Sequence, residues 1–268
     1  MTDDSEQHNN NPNTMHPSFA NVIKRKESIK NNLNSIKHKI GIYSAKGGVG
    51  KTTTAINIAY TLSKRGFKVG LLDADIDCPN LTVFLGITDM MNIEHMPLIP
   101  LIKDGIKIAS TAMLVDDTKK PIIWRGPIIV KMLYDFFENT EWGELDYLII
   151  DLPPGTSDAP LTIMQVLDMD GFIIVTTDHK IGALNSVRSG LMAKRLGKSI
   201  IGIIANMTKE NGTSEHVNYV CANLGVELLG SIPFDKNIED MSNGSDVAVL
   251  NNQKIYELYA NIVEKVIS

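Results

Sequence analysis

Hydrophobic residues along most of this chain are grouped in short continuous runs that alternate with helical patterns. The runs are rich in aliphatic residues and bounded by polar or glycine residues; they occupy 39–44, 68–72, 106–110, 146–150, 172–177, 200–205 and 226–232. Short continuous runs are typical of parallel strands that are buried on both faces. The pair Asp104-Gly105, within 96–106, predicts an additional small hairpin or edge strand.

Helical patterns fill the intervals between these strands, with apolar residues three or four positions apart. One predicted face is formed by Ala55, Ile58, Ala59 and Leu62, a second by Leu184, Val187 and Leu191, and a third, in 252–267, by Ile255, Leu258, Tyr259, Ile262, Val263 and Val266. Alternation of strands and helices over about 230 residues is typical of one α/β domain. We predict a three-layer, doubly wound, mostly parallel sheet with helices on both faces.

The N-terminal region differs from this pattern. Residues 1–16 are polar and Asn-rich, which predicts a disordered tail because such a segment cannot bury enough apolar surface to offset its ordering entropy. Residues 17–37 predict a helix with basic residues around an apolar stripe. The stripe consists of Val22, Ile29, Leu33 and Ile36. A basic helix can bind a membrane or nucleic acid, but we interpret this one as a solvated helix packed on a domain spanning 38–268.

Composition narrows the functional classes. The 268 residues carry a net charge of −5, so the clustered basic charge of a protein that coats nucleic acid or an anionic membrane is not expected. Two cysteines, Cys78 and Cys221, do not make a disulfide framework. No apolar run is long enough to span a bilayer, and the N-terminus lacks the apolar core of a secretory signal. We therefore expect a cytoplasmic protein.

The strongest chemical signal is a glycine-rich loop between the strand 39–44 and a predicted helix. Glycines at 47, 48 and 50 let backbone N–H groups turn toward phosphates, and the helix that follows directs its positive end at the same anion. Lys51 is expected to reach the β- and γ-phosphates of ATP, and the Thr52 hydroxyl to ligate magnesium. The predicted nucleotide-binding loop comprises Ala45, Lys46, Gly47, Gly48, Val49, Gly50, Lys51, Thr52 and Thr53.

Two positions in this loop depart from the general phosphate-loop pattern. Ala45 stands where the pattern begins with glycine, and Lys46 is an extra lysine before the first glycine pair. Since Lys51 already supplies a cation to the phosphates, Lys46 is not needed to cradle them within the same chain.

Polar side chains at strand ends complete the predicted site, because doubly wound folds bind ligands at that rim of the sheet. Asp151 ends the strand 146–150 and is assigned to magnesium, through a water. Of Asp73 and Asp75, one is expected near the metal and the other near the attacking water, and spacing does not decide which. Asn206 is a candidate for contact with a base edge; capping a turn is the alternative.

Several motifs together resemble a known family. The loop with its extra Lys46 resembles the MinD/ParA-like ATPases, and within that group the chain resembles the Mrp/ApbC family of iron–sulfur cluster carrier ATPases. The motifs are DADIDCPN at 73–80, WRGP at 124–127, WGELDYLIIDLPPGT at 142–156, DAPLT at 158–162 and VTT at 175–177. The likeness covers roughly 38–265, and the block at 142–156 is long and specific.

The resemblance implies roles for individual residues. Members form homodimers with nucleotide near the interface, and the lysine that matches Lys46 reaches across to the partner's phosphates. Asp75 matches the water-activating aspartate, which leaves Asp73 for the metal. Asp151 matches the magnesium-side switch aspartate, and Asn206 matches an asparagine that contacts adenine. Slow ATP hydrolysis and iron–sulfur recipient or donor proteins as partners are implied as well.

One departure from the family concerns the cysteines that hold the iron–sulfur cluster, which is the cargo of these carriers. Members carry a Cys-x-x-Cys pair shortly after the asparagine that matches Asn206, and two such pairs hold a 4Fe–4S cluster between subunits. Here that region contains only Cys221. One Cys221 from each subunit gives two thiolates of the four that such a cluster prefers, and Cys78 from each gives the rest. An ordinary helix cysteine and a buried small residue are the alternatives, and His216 is a further candidate ligand.

Three functional hypotheses follow from these observations. The first is an ATPase that carries or assembles iron–sulfur clusters, and the second is a nucleotide-driven switch that recruits a protein partner without holding a cluster. The third is a MinD- or ParA-like positioning ATPase. The helix 252–267 argues against the third, because its lysines Lys254 and Lys265 are balanced by acidic residues and give no basic face for a membrane.

Overall fold

A computed structural model describes residues 17–91, 96–114, 126–209 and 214–267 of the chain. The predicted disordered tail 1–16 and the first two positions of the motif at 124–127 lie outside the described residues.

The described strands form a single sheet. They are β1 (Ile36–Tyr43), β2 (Val69–Asp73), β3 (Leu101–Lys103), β4 (Ile106–Ser110), β5 (Leu145–Asp151), β6 (Gly171–Thr177), β7 (Ile200–Thr208) and β8 (Leu228–Pro233). Their order is β3-β4-β2-β5-β1-β6-β7-β8, and the pairs are parallel except for the antiparallel pair β3–β4. The doubly wound, mostly parallel sheet is therefore confirmed, as is the hairpin that turns at Asp104-Gly105.

Helices cover both faces of this sheet. They are α1 (Pro17–Asn32), α2 (Lys51–Lys64), α3 (Leu81–Phe84), α4 (Gly126–Asn139), α5 (Asp158–Val166), α6 (Lys180–Arg195), α7 (Glu215–Leu224), α8 (Lys236–Asn243), α9 (Ala248–Asn251) and α10 (Gln253–Ile267). One hydrophobic cluster unites the sheet with α1, α4, α5, α6 and α7, and a second unites it with α2, α9 and α10. None of the helices in the described ranges is long and apolar enough to cross a membrane.

The predicted helix 17–37 is too long at its C-terminal end. The helix ends at Asn32, and β1 begins at Ile36, where the backbone pairs in register with Leu145 of β5. Pairing with the central sheet satisfies the backbone polar groups of this segment in strand form. Ile36 therefore reaches the core from a strand, while Val22, predicted in the apolar stripe, is 44% exposed.

The predicted inner face of α6 is also partly wrong. Val187 is buried, but Leu184 is 40% exposed and Leu191 is 46% exposed. The buried side of α6 is made of small residues instead, because Gly190 and Ala193 allow the helix to lie close to its neighbours. An ideal Cβ at Gly190 would meet the Leu224 side chain of α7 at 2.5 Å.

Candidate active site

The loop between β1 and α2 leaves the central strand of the sheet. Gly48 and Gly50 adopt φ angles of 78° and 81°, the left-handed region that favours glycine. At Gly50 the surroundings impose a second demand, because a Cβ there would lie 2.1 Å from Nδ2 of Asn206. The predicted glycine requirement of the loop thus has two physical causes at position 50, backbone conformation and close approach.

Lys51 and Thr52, the first residues of α2, converge on Asp151 at the end of β5. Lys51 Nζ donates to Asp151 Oδ1 at 2.5 Å, and Thr52 Oγ1 donates to Asp151 Oδ2 at 2.6 Å. The ion pair is buried, with Lys51 7% and Asp151 1% exposed. The contact arises because β5 pairs directly with β1, so that the end of β5 faces the start of α2.

Asp73 ends β2, the strand that pairs with β5, and lies in register with Asp151; Asp75 lies two residues beyond the strand. Asp73 is fully buried; its carboxylate accepts hydrogen bonds from the backbone N–H groups of Asp75 and Leu81 and from Oγ of Ser110. Asp75 is 8% exposed, and its Oδ1 accepts a hydrogen bond from the Cys78 N–H at 3.1 Å. The structure thus brings together the three carboxylates that the sequence selected.

Burial dominates the electrostatics of these acids. It raises the pKa of Asp73 to about 7, with a further contribution from the Asp151 carboxylate. Burial likewise raises the pKa values of Asp75 and Asp151, and the nearby Lys51 ammonium opposes both shifts. Three buried carboxylates beside Lys51 leave an excess of negative charge, which a divalent cation would neutralise.

The donor set fits magnesium only together with a nucleotide. Among the described residues, no group of three His, Cys, Asp or Glu side chains is arranged to hold a metal by itself. Asp151 and the Thr52 hydroxyl offer hard oxygen ligands at one point. Mg²⁺ typically uses one or two carboxylates plus substrate phosphates and waters, so this limited set agrees with a metal that arrives with phosphate oxygens.

Asn206 and Lys46 lie at the rim of the loop. Asn206 is 7% exposed and its Nδ2 donates to the Val49 carbonyl at 2.8 Å, which ties β7 to the loop. Lys46 is exposed and lines a cavity of about 230 Å³ between the loop and the start of α6. Within the described ranges, no carboxylate pairs with its ammonium.

A second cavity of about 290 Å³ adjoins Gly50 and Asn206. Its walls include the aromatic residues Phe84, Phe234 and Tyr259, which come from α3, the β8–α8 turn and α10. The sequence did not indicate Phe84 or Tyr259 as site residues; it placed Tyr259 only on the apolar face of the helix 252–267. No spacing signal could have done so, because they are far apart along the chain.

The two cysteines occupy different environments. Cys78 is exposed and its backbone N–H contacts Asp75 at the edge of the carboxylate cluster. Cys221 is half-buried on α7, where burial raises the pKa of its thiol. His216, on the same helix, belongs to no metal-binding group in the part of the chain that the structure describes.

Comparisons with known proteins identify the relatives of this chain. A family model described as the NUBPL iron-transfer P-loop NTPase matches residues 35–267. An iron–sulfur cluster carrier protein from Methanocaldococcus jannaschii is 42% identical over 254 residues, covering 89% of this chain and 87% of the relative. A second, from Bacillus subtilis, is 37% identical and covers 85% and 67% respectively.

Solved structures add a nucleotide-bound relative. A nucleotide-binding protein from Archaeoglobus fulgidus in complex with ADP aligns with a TM-score of 0.73 at 30% identity, over 87% of this chain and 96% of that one. The cell division ATPase MinD from Pyrococcus furiosus aligns with a TM-score of 0.64 at 23% identity, over 85% and 98%. At that lower identity the likeness establishes the fold alone.

Proposed function

This chain belongs to the family of iron-transfer P-loop NTPases, and from that premise we propose that it is a slow, magnesium-dependent ATPase that carries iron–sulfur clusters to recipient proteins. The observation that supports the ATPase most directly is the convergence of Lys51 and Thr52 on Asp151, beside Asp73 and Asp75. A cation, a hydroxyl and buried carboxylates at the mouth of a glycine-rich loop are the parts that phosphoryl transfer requires.

The loop and the start of α2 would hold the phosphates. Backbone N–H groups of the loop and the positive end of α2 attract the anion, and Lys51 supplies a full charge to the β- and γ-phosphates. Thr52, Asp151 through a water, and Asp73 would hold magnesium, which neutralises charge that develops on the phosphate oxygens.

Asp75 is the proposed acceptor of the proton from the attacking water. As the bond from water oxygen to the γ-phosphorus forms, the bond to the ADP oxygen breaks and the proton passes to the carboxylate. Burial raises the pKa of Asp75 and makes it a stronger base than an exposed aspartate. The backbone N–H of Cys78 holds one of its oxygens in place.

The cavity beside Asn206 is the proposed site of the base. Adenine is flat and apolar on its faces, and Phe84 and Phe234 offer aromatic surface for it. Asn206 has an amide that can read a base edge, although Nδ2 donates to Val49 in this structure.

We further propose a homodimer in which Lys46 of each subunit reaches the phosphates bound by the other. Its exposure at the loop rim, without an acidic partner in the described ranges, supports a role outside its own chain. A cytoplasmic location, iron–sulfur recipient or donor proteins as partners, and no binding of membrane or nucleic acid are part of the same proposal.

The cluster is cargo rather than a permanent part of the protein. Four thiolates suit a 4Fe–4S cluster, and in a dimer Cys221 and Cys78 of both subunits supply that number. Cys221 is the main candidate ligand, because it lies on the helix that follows β7. This position is close in sequence to the segment that holds the family's cysteine pair.

A nucleotide-driven switch that recruits its partner without holding a cluster is the second candidate. Two observations favour it: Cys78 lies in the loop between β2 and α3 whereas Cys221 lies on α7, and Cys221 is half-buried with a raised thiol pKa. In this alternative the partner supplies the cluster ligands, and ATP binding controls the encounter.

Iron and acid-labile sulfide per dimer after anaerobic reconstitution distinguish the two candidates. A carrier should bind close to four of each, and Cys221→Ser should lose them. Thr140→Ser, at a buried position just after α4, should keep them. Wild-type protein that retains no iron would reject the carrier and favour the switch.

ATP turnover tests the shared premise separately. Asp75→Ala should bind ATP and fail to hydrolyse it, because water loses its base, whereas Lys51→Ala should lose binding altogether. Turnover retained in Asp75→Ala would assign proton transfer to another group.

A further inference from the structure

The outer face of α6 is unusual for the surface of a helix in a compact domain. Ile181 is 63% exposed, Leu184 40% and Leu191 46%, and Arg188 and Arg195 are exposed between and beyond them. With about 100° of rotation per residue, all five side chains fall within one sector about 80° wide. They form a single stripe, here named the α6 stripe, along a helix roughly 24 Å long.

All the charged residues of α6 are basic. The helix contains Lys180, Arg188, Lys194 and Arg195 and no acidic residue, although the chain as a whole has a net charge of −5. None of these four cations forms a salt bridge within the described ranges. Lys194 donates instead to the carbonyl of Leu224 at the end of α7, which leaves three cations beside exposed aliphatic side chains.

The inner side of α6 is fixed, so the exposed residues cannot turn inward. Ser186 is buried and donates to Thr176 of β6 at 2.9 Å. Gly190 lies against Leu224 of α7 and Ile174 of β6 so closely that any Cβ would clash. The helix therefore presents the α6 stripe as a preformed surface, and a partner would not have to reorganise it in order to bind.

We propose that the α6 stripe docks a partner protein through a segment that combines acidic and aliphatic side chains. Aliphatic side chains of the segment would cover Leu184 and Leu191, and carboxylates would pair with the arginines; Ile181, at the N-terminal end of the stripe, also lines the cavity beside Lys46. Charge complementarity of this kind raises association rates and selects partners. The proposal concerns which proteins this chain meets; it does not depend on the cargo or on ATP turnover.

Charge argues against a second copy as the occupant. In a two-fold symmetric contact the α6 stripe of one copy would face the α6 stripe of the other, so the arginines of each copy would meet a helix that contains no acidic residue. A nucleic acid would engage the arginines but leave the aliphatic residues without a partner, because its outer surface is phosphate. Both occupants, and an anionic membrane, are outcomes of the test.

The test measures direct binding of defined probes to the full chain by fluorescence anisotropy. The probe is a labelled helical peptide with leucine along one face and glutamate along its flanks; a second peptide carries lysine in place of glutamate. The acidic peptide should bind and the basic one should not. Arg188→Glu and Arg195→Glu together should weaken binding by at least about tenfold, and added salt should weaken the wild-type complex.

Matched controls separate this surface from general electrostatics. Lys131→Glu and Lys236→Glu reverse the same amount of charge on α4 and α8 and should leave affinity within about twofold. Leu184→Ser, with unchanged ATP turnover and melting temperature, should weaken binding through loss of apolar contact. Equal binding of both peptides, or of neither, would overturn the proposal.

Three further measurements would also overturn it. The first is binding of a short DNA duplex, if Arg188→Glu abolishes that binding. The second is binding of phosphatidylserine vesicles, if Arg188→Glu abolishes that binding. The third is self-association in sedimentation, if Arg188→Glu strengthens it or Leu184→Ser abolishes it. Each of these would assign the α6 stripe to a different class of occupant.

Discussion

At Gly50 two constraints act on one residue, and each can be measured. The left-handed φ of 81° strains any other side chain, and Nδ2 of Asn206 occupies the space that a Cβ would need. Gly66, at the end of α2, shares the first constraint with a φ of 90° but has open space around its Cβ position. Comparing substitutions at Gly50 and Gly66 therefore separates the cost of backbone strain from the cost of steric overlap.

Gly66→Ala should lower the free energy of unfolding by about 1 kcal/mol through strain alone. Gly50→Ala should lower it by about 2–3 kcal/mol, because the added methyl also displaces Asn206 and its hydrogen bond to Val49. Urea denaturation measures both. Equal losses in the two variants would show that the loop moves aside at no cost.

The two thiols should differ in reactivity. Cys78 is exposed, while Cys221 is half-buried with a raised thiol pKa. Since the thiolate is the reactive form, N-ethylmaleimide at neutral pH should modify Cys78 first, as followed by mass spectrometry. Raising the pH toward the pKa of Cys221 should increase its rate.

The same reaction in guanidinium chloride is the control, because unfolding removes the burial and should make the two rates similar. If Cys221 reacts as fast as Cys78 in the folded protein, α7 opens readily and the thiol is ready for cargo.

At the scale of elements, α1 is part of the domain rather than an appendage. Ile29 and Leu33 are buried in the same cluster as α4 and α5. Arg25 pairs with Asp135 and Glu138 of α4 at 2.5 and 3.0 Å. These contacts support the sequence-based interpretation of a helix packed on the domain.

Asn32 links α1 to the end of α4, because its Nδ2 donates to the carbonyls of Phe137 at 2.9 Å and Thr140 at 2.8 Å. Asn32→Ala should therefore reduce the free energy of unfolding by about 1–2 kcal/mol, as two carbonyls lose their donor. ATP affinity should stay unchanged. Asn34→Ala, at an exposed position two residues on, is the matched control and should be neutral in the same denaturation experiment.

The apolar spacing in the final helix correctly indicates which of its residues are buried. Ile255, Tyr259, Ile262 and Val263 of α10 are buried against the sheet, which confirms the prediction that this stripe packs on the core. The apolar stripe of this helix is therefore covered by the core.

At the scale of the whole molecule, ATP turnover should depend on assembly. We expect Lys46→Ala to bind ATP with an affinity within about twofold of wild type, because Lys51 remains. The variant should hydrolyse ATP at least about tenfold more slowly, because it lacks the cation that the partner subunit supplies to the transition state. Turnover per chain in the wild type should rise with protein concentration. Lys131→Ala, on the surface of α4, is the control.

Normal turnover in Lys46→Ala, or turnover per chain that is independent of concentration, would contradict the dimer proposal. A defect in binding alone would instead mean that Lys46 acts on nucleotide held by its own chain.

Much of the fold followed from the sequence because its signals are local. Short aliphatic runs identified the seven main strands, and Asp104-Gly105 identified the hairpin, since both patterns reflect the conformation of a few consecutive residues. The phosphate loop was readable for the same reason: glycines, Lys51 and Thr52 are adjacent and must act together. Asp73, Asp75 and Asp151 were selected because each lies at or just beyond a strand end.

Tertiary structure decided what depends on neighbours distant in sequence. The end of α1 at Asn32 follows from pairing between Ile36 and Leu145, and the exposure of Leu184 and Leu191 follows from how closely Gly190 lets α6 approach α7. Phe84 and Tyr259 meet at one cavity only through the order of the strands and helices. Periodicity tells which residues share a side of a helix, but packing density alone determines how much of that side is buried.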